Sequence, residues 1–151
     1  MSIDLRKLAY TFSSKPLLIG GKAMEHYGLR QAGDDIDFVI TAQDYEQLSQ
    51  RYPDDLRDLW GDLGVCVHEF ELWTSICLFD YASLSTDAFD AGTYLIISLE
   101  RLLFLKALGM KEQKYHKDLE MVVRKVLDDK YAPWWAGLSE EQRDRYHKEQ
   151  S

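Results

Sequence analysis

The sequence predicts an α/β domain in which a small mixed sheet is flanked by helices, with further helices towards the C-terminus. Three features point to it. A short apolar run, Leu17 to Ile19, breaks at a glycine pair and passes into a helical stretch. A second run, Asp35 to Ile40, alternates acidic and apolar residues at its start, as a half-buried strand does. Residues suited to helix caps stand at Thr41, Ser98 and Ser139, each just before a helical stretch.

In chain order, Ile3 to Phe12 is expected as a helix with Ile3, Leu5, Leu8, Ala9 and Phe12 on one face, ended by Ser13-Ser14-Lys15-Pro16. Leu17 to Ile19 is a strand. At Gly20-Gly21 the chain can turn sharply, because glycine has no Cβ to forbid positive φ, and a helix starts near Lys22 and runs to about Tyr27. Gly28 to Gly33 is a loop carrying Arg30. In the strand that follows, a period of two points Asp35 and Asp37 to one face and Ile36 and Phe38 to the other. Thr41 caps a helix to about Arg51, with Asp44 in its first turn. Pro53 opens another helical stretch, Asp54 to Leu63, closed by Gly64. Val65 to Phe70 and Ser75 to Tyr81 are two strands, connected by Glu71 to Thr74. Ser83 to Gly92 is turn-rich, and Tyr94 to Ile97 is a further short strand.

From about residue 98 to residue 151 the same domain continues as a helical extension. Ser98 caps an apolar helix from Leu99 to about Leu108, stopped near Gly109. Its spacing puts Leu99, Leu102, Leu103 and Lys106 on one stripe, so Lys106 must snorkel to water, pair, or meet a ligand. Lys111 to Lys117 is basic. A helix follows with Leu119, Val122, Val123, Val126 and Leu127 as its core face and Asp118 at its start, where a carboxylate suits the helix dipole. Of the neighbours Trp134 and Trp135, one packs on the domain while the other is exposed or at an interface. Ser139 and Gln142 form a capping box for a last polar helix through His147, facing solvent or a partner.

Composition narrows the class. The chain has 151 residues, 46% hydrophobic and 29% charged, which suits one folded domain with a real core. No run approaches a membrane span and the N-terminus lacks a signal-peptide core, so a cytoplasmic location is expected. The net charge of −8 disfavours broad binding to a phosphate backbone. Cys66 and Cys77 make neither a disulfide framework nor a zinc site and are expected as buried thiols. The histidines His26, His68, His116 and His147 have no mutual ligand spacing.

The chemistry is concentrated between Leu17 and Ile40. Backbone N–H groups freed by the Gly20-Gly21 turn, at the positive end of a helix, make a place for phosphate oxygens. Two carboxylates side by side repel, unless a divalent cation lies between them. Magnesium suits such a pair: it is hard, takes oxygen ligands, and leaves positions for water and substrate phosphates. Arg30 could reach either the carboxylates or a triphosphate.

The segments Gly20-Gly21-Lys22-Ala23, Gly28-Leu29-Arg30 and Asp35-Ile36-Asp37-Phe38 resemble the nucleotidyltransferase fold of the polymerase-β-like superfamily, in its compact bacterial branch. The resemblance implies a magnesium-dependent transfer of a nucleoside monophosphate from a nucleoside triphosphate to an unknown acceptor. It implies that Gly20 and Gly21 hold the phosphates, with Lys22, Arg30 and Lys106 completing the nucleotide-binding set, and that Asp35 and Asp37 hold magnesium. The family usually adds a third carboxylate on a strand beside the acidic one. Here Asp80 is the first choice, for metal binding and catalysis, and Glu69 and Glu71 are the alternatives. The resemblance also covers Lys117-Asp118, which would mark a helix behind the nucleotide site. The alternative is a module that keeps the fold without catalysis, a nucleotide-binding protein or one half of a toxin–antitoxin pair. Its partner, or a second copy, would meet the C-terminal tail.

Overall fold

The computed structural model describes residues 3–109 and 112–150, without the side chains of residues 135, 146, 147, 149 and 150. The expectations for Lys111 and for the side chains of Trp135 and His147 lie outside the described residues. In chain order the strands are β1 (Leu17–Ile19), β2 (Ile36–Val39), β3 (Leu56–Leu59), β4 (Asp62–Val67), β5 (Phe70–Trp73), β6 (Ser75–Ile76), β7 (Phe79–Asp80), β8 (Phe89–Asp90) and β9 (Leu95–Ile96). The helices are α1 (Gly20–His26), α2 (Ala42–Arg51), α3 (Tyr81–Leu84), α4 (Leu99–Leu108), α5 (His116–Ala136) and α6 (Glu140–Gln150). Seven strands form a mixed sheet in the order β3-β4-β5-β2-β1-β9-β8, while β6 and β7 pair separately. This is the mixed α/β arrangement that the alternating strand and helix signals predict.

The acidic strand occupies the middle of the sheet. β2 pairs antiparallel with β1 and parallel with β5. The alternation is seen only in part: Ile36 and Phe38 are buried with Asp37 half-exposed between them, but Val39 is buried too and Asp35 lies before the strand. Phe38 stacks on Phe70 of β5 with ring centroids 6.3 Å apart, in a core shared with Leu8, Leu48 and Leu72. Burying such side chains is what sets the register, since a slip of one residue would bring Asp37 into that core.

Local caps start the helices where the sequence places them. Thr41 Oγ1 accepts the Asp44 N–H at 3.1 Å, and Ser98 Oγ accepts the Arg101 N–H at 3.1 Å. Ser139 and Gln142 form the reciprocal capping box of α6. Among the described residues, no helix is long and apolar enough to cross a membrane.

Several elements differ from the expectations. Ile3 to Phe12 is not a helix: a single 3₁₀ turn spans Leu5–Leu8, and Ala9 ends it in the left-handed region. The chain beyond is drawn instead to the buried Asp44 carboxylate, which accepts hydrogen bonds from Tyr10 Oη at 2.6 Å and the Ser13 N–H at 2.9 Å. Asp54 to Leu63 is a β-hairpin, β3–β4, whose turn residues Trp60 and Gly61 have φ of 55° and 102°. The strands expected at Val65 to Phe70 and Ser75 to Tyr81 are displaced as well. The chain reverses at His68-Glu69, and the supposed connection Glu71 to Thr74 mostly forms β5, inside the sheet. On α5 only Val122 of the expected core face is fully buried, with Val123 and Leu127 exposed against the short α4. Cys66 is half-buried and Cys77 exposed, so neither thiol is sealed in the core.

Candidate functional site

The site begins at the corner between β1 and α1. The helix starts at Gly20 itself rather than near Lys22, and Gly20 has φ of +64°. A Cβ at this position would lie 2.5 Å from Asp37 Oδ2, so the backbone of the corner touches the acidic side chain directly. Only glycine meets both conditions.

Asp37 is the central group. Its β2 position is in register with Glu71 on the neighbouring parallel strand β5, and in-register residues project to the same face. Burial, the hydrogen bond to Glu71 and the charges of Glu71 and Asp35 push the Asp37 carboxyl up to about 8, against a smaller opposing pull from Lys106. Asp35 precedes β2, is exposed, and contributes charge from the rim.

A cleft of about 360 Å³ opens beside this corner. Its lining includes the glycines Gly20 and Gly21, the charged Arg30, Asp37 and Lys106, and the apolar or aromatic Leu102, Leu105 and Tyr115. Lys106 is buried on the α4 stripe, and its need for a partner is met by Asp118, 2.9 Å away. Asp118, in the first turn of α5, also accepts from Arg30 Nε at 2.7 Å and Nη2 at 2.9 Å. Burial alone would raise Asp118, but the bonds from Arg30 and Lys106 outweigh it and hold the carboxyl below its ordinary range. In return Asp118 raises the Arg30 guanidinium further.

The structure therefore brings together Gly20, Gly21, Arg30, Asp37 and Lys106 in one cleft lining, which includes neither Asp35 nor Glu71. It leaves Lys22 outside the cleft lining. Asp80 is not in the cleft lining either: it is exposed and caps α3, accepting the Ser83 N–H at 3.0 Å. Glu69, at the β4–β5 turn, pairs with Lys7 at 2.7 Å. Glu71 is the carboxylate that stands beside Asp37. The alternation Phe70-Glu71-Leu72-Trp73 is the signal that could have placed it on a strand. Tyr115 had no such signal; it enters the cleft because α5 packs on α4.

The donor set fits a hard divalent cation. Asp37 and Glu71 crowd two carboxyl groups in a partly dry site, where a cation would favour both ionised forms. Among the described residues no three of His, Cys, Asp and Glu gather closely enough to hold a metal by themselves. Magnesium typically takes one or two carboxylates, with water and phosphate completing its coordination. No protein-family model matches the chain, and neither a curated protein nor a solved structure matches it.

Proposed function

We propose that this chain is a nucleotidyltransferase that uses magnesium to move a nucleoside monophosphate from a nucleoside triphosphate to an acceptor hydroxyl. The observation that carries this reading is the Asp37–Glu71 pair, in register on parallel strands, with Asp37 against the glycine corner. Arg30 and Lys106 supply positive charge in the cleft that Asp37 lines. A ligand with a polyanionic end and a flat apolar end suits this division, its phosphates at the corner and its base against Leu102, Leu105 and Tyr115.

In this reading Asp37 and Glu71 would hold magnesium, with the charge of Asp35 nearby. When bound, the ion supplies charge neutralisation on the triphosphate and its leaving group. Gly20 and Gly21 let the phosphate chain approach the backbone, and Arg30 and Lys106 orient it. Glu71, rather than Asp80, takes the proton of the acceptor hydroxyl. The acceptor oxygen then bonds to the α-phosphorus, the bond to the β-phosphate oxygen breaks, and pyrophosphate leaves with the electron pair. A cytoplasmic location agrees with the unpaired thiols of Cys66 and Cys77 and with the supply of nucleoside triphosphates.

Incubating the protein with each α-labelled nucleoside triphosphate, magnesium and a cell extract tests this reading. Label should pass to an acceptor with wild type and not with Asp37→Asn. Magnesium-dependent nucleotide binding without any transfer would favour the rival, a nucleotide-binding module that keeps the fold, alone or as half of a toxin–antitoxin pair.

A further inference from the structure

Arg30 and Lys106 reach the cleft from distant places in the chain, the loop between α1 and β2 and the helix α4. In its own loop Arg30 Nη1 donates to Gln31 O at 3.1 Å. Both cations close on one carboxylate, Asp118, which is 7% exposed and belongs to a third element, α5. The Arg30 fork meets both oxygens of Asp118, and Lys106 Nζ meets Oδ2. A bidentate guanidinium pair fixes a plane as well as a distance. With Nε and Nη2 on Asp118 and Nη1 on Gln31 O, Arg30 Nη1 lies against the glycine corner, 3.5 Å from where a Cβ on Gly21 would lie. Lys106 Nζ lies 5.4 Å from the centre of the Tyr115 ring, whose face favours a cation. One negative charge between two positive ones leaves the trio a net charge of +1.

We infer that Asp118 is a positioning residue, which ties Arg30 and Lys106 into a single clamp for the polyphosphate end of the ligand, so that α5 completes the site. This inference rests on the proposed polyphosphate-binding role of the cleft. It makes a prediction with an unusual sign. If Asp118 served only as a nearby negative charge, removing it would make the cleft more positive and bind an anion more tightly. As a positioner, its removal loosens two ordered cations and weakens binding.

Titration with inorganic tripolyphosphate and magnesium, followed by calorimetry, separates the two. Wild type should bind. Asp118→Asn should bind about tenfold or more weakly, as expected when two charge-assisted contacts lose their orientation, and Asp118→Glu should recover part of the loss. Because Asp118→Asn also leaves Lys106 buried and unpaired, Arg30→Lys provides a second variant. It keeps the charge at a partly exposed position but gives up the planar fork, and it should weaken binding too while melting at close to the wild-type temperature. Equal or tighter binding by folded Asp118→Asn, or by Arg30→Lys, would overturn the inference, as would a wild type that does not bind tripolyphosphate. A clamp that behaves in this way in a protein that never transfers a nucleotide would overturn the proposed reaction and leave the role of Asp118 standing. Transfer that is normal in Asp118→Asn would do the reverse.

Discussion

Asp37 of β2 and Glu71 of β5 stand side by side in register on parallel strands, with Gly20 against the former. Burial, Glu71 and Asp35 together raise Asp37 to about 8 from an ordinary 3.8. Between these values the folded chain holds a proton that the unfolded chain has released, so the contribution of Asp37 to stability falls as pH rises from about 4 to about 8. Asp37→Asn cannot ionise. It should be more stable than wild type at pH 8, by on the order of 2 kcal/mol, with the difference shrinking towards pH 4. Urea unfolding across this range measures it; a difference that stays constant with pH would contradict a raised Asp37 carboxyl.

The same pair predicts proton release on metal binding. At pH 7 a magnesium ion that occupies the site must displace the proton of Asp37. Calorimetry in buffers of different ionisation enthalpy should therefore report close to one proton released per ion bound, and none near pH 9.5.

The two glycines of the corner should behave differently. Gly20→Ala meets both the left-handed φ and the Asp37 oxygen, and should cost about 2 kcal/mol or more while disturbing metal binding. Gly21→Ala meets only ordinary contacts with Arg30 and Ala32, in a helix that alanine favours, and should leave stability unchanged or higher by up to about 1 kcal/mol. Thermal melts of the two variants, alone and with manganese, compare them.

Trp60 is 97% exposed and sits at φ 55° in the β3–β4 turn, so its side chain contributes strain without burial. Trp60→Asn creates the Asn-Gly pair that this turn favours, and should stabilise the chain by about 1 kcal/mol. Destabilisation, read from the same melts, would argue for the helical conformation expected at Asp54 to Leu63.

What the sequence made legible was local. Thr41, Ser98 and the Ser139–Gln142 box each act within three residues, and the Asp35 to Ile40 alternation carries its own buried face. The hairpin was hidden because Leu56, Leu59, Trp60 and Leu63 recur at helical spacing although all four are exposed. Glu71 was hidden for a related reason. A charged residue after Phe70 resembles the end of a strand, and only the pairing of β5 with both β2 and β4 keeps it inside the sheet. Arg30 and Asp118 are 88 positions apart, and no local pattern could have joined them. The buried stripe on α4 did announce that Lys106 needed a partner; tertiary packing supplied Asp118.

Buried Asp44 offers a further check on the packing of the N-terminal segment. Burial would raise it, but hydrogen bonds from Tyr10 Oη and the Ser13 and Ser14 backbone hold it below its ordinary value. Its contribution is therefore present above about pH 4 and is lost as the solution is acidified through the lowered value. Asp44→Ala leaves those donors unpaired and should cost about 3 kcal/mol at pH 7, less at pH 2.5, as read from denaturant unfolding.

The most direct measurement compares nucleotide transfer from an α-labelled triphosphate by Glu71→Gln and by Asp80→Asn. With Glu71 beside Asp37 and Asp80 engaged in capping α3, Glu71→Gln should lose transfer at least about a hundredfold, on the scale of a missing general base, and Asp80→Asn should remain within a few-fold of wild type. Loss of transfer in Asp80→Asn with Glu71→Gln unaffected would contradict a site built on Asp37 and Glu71.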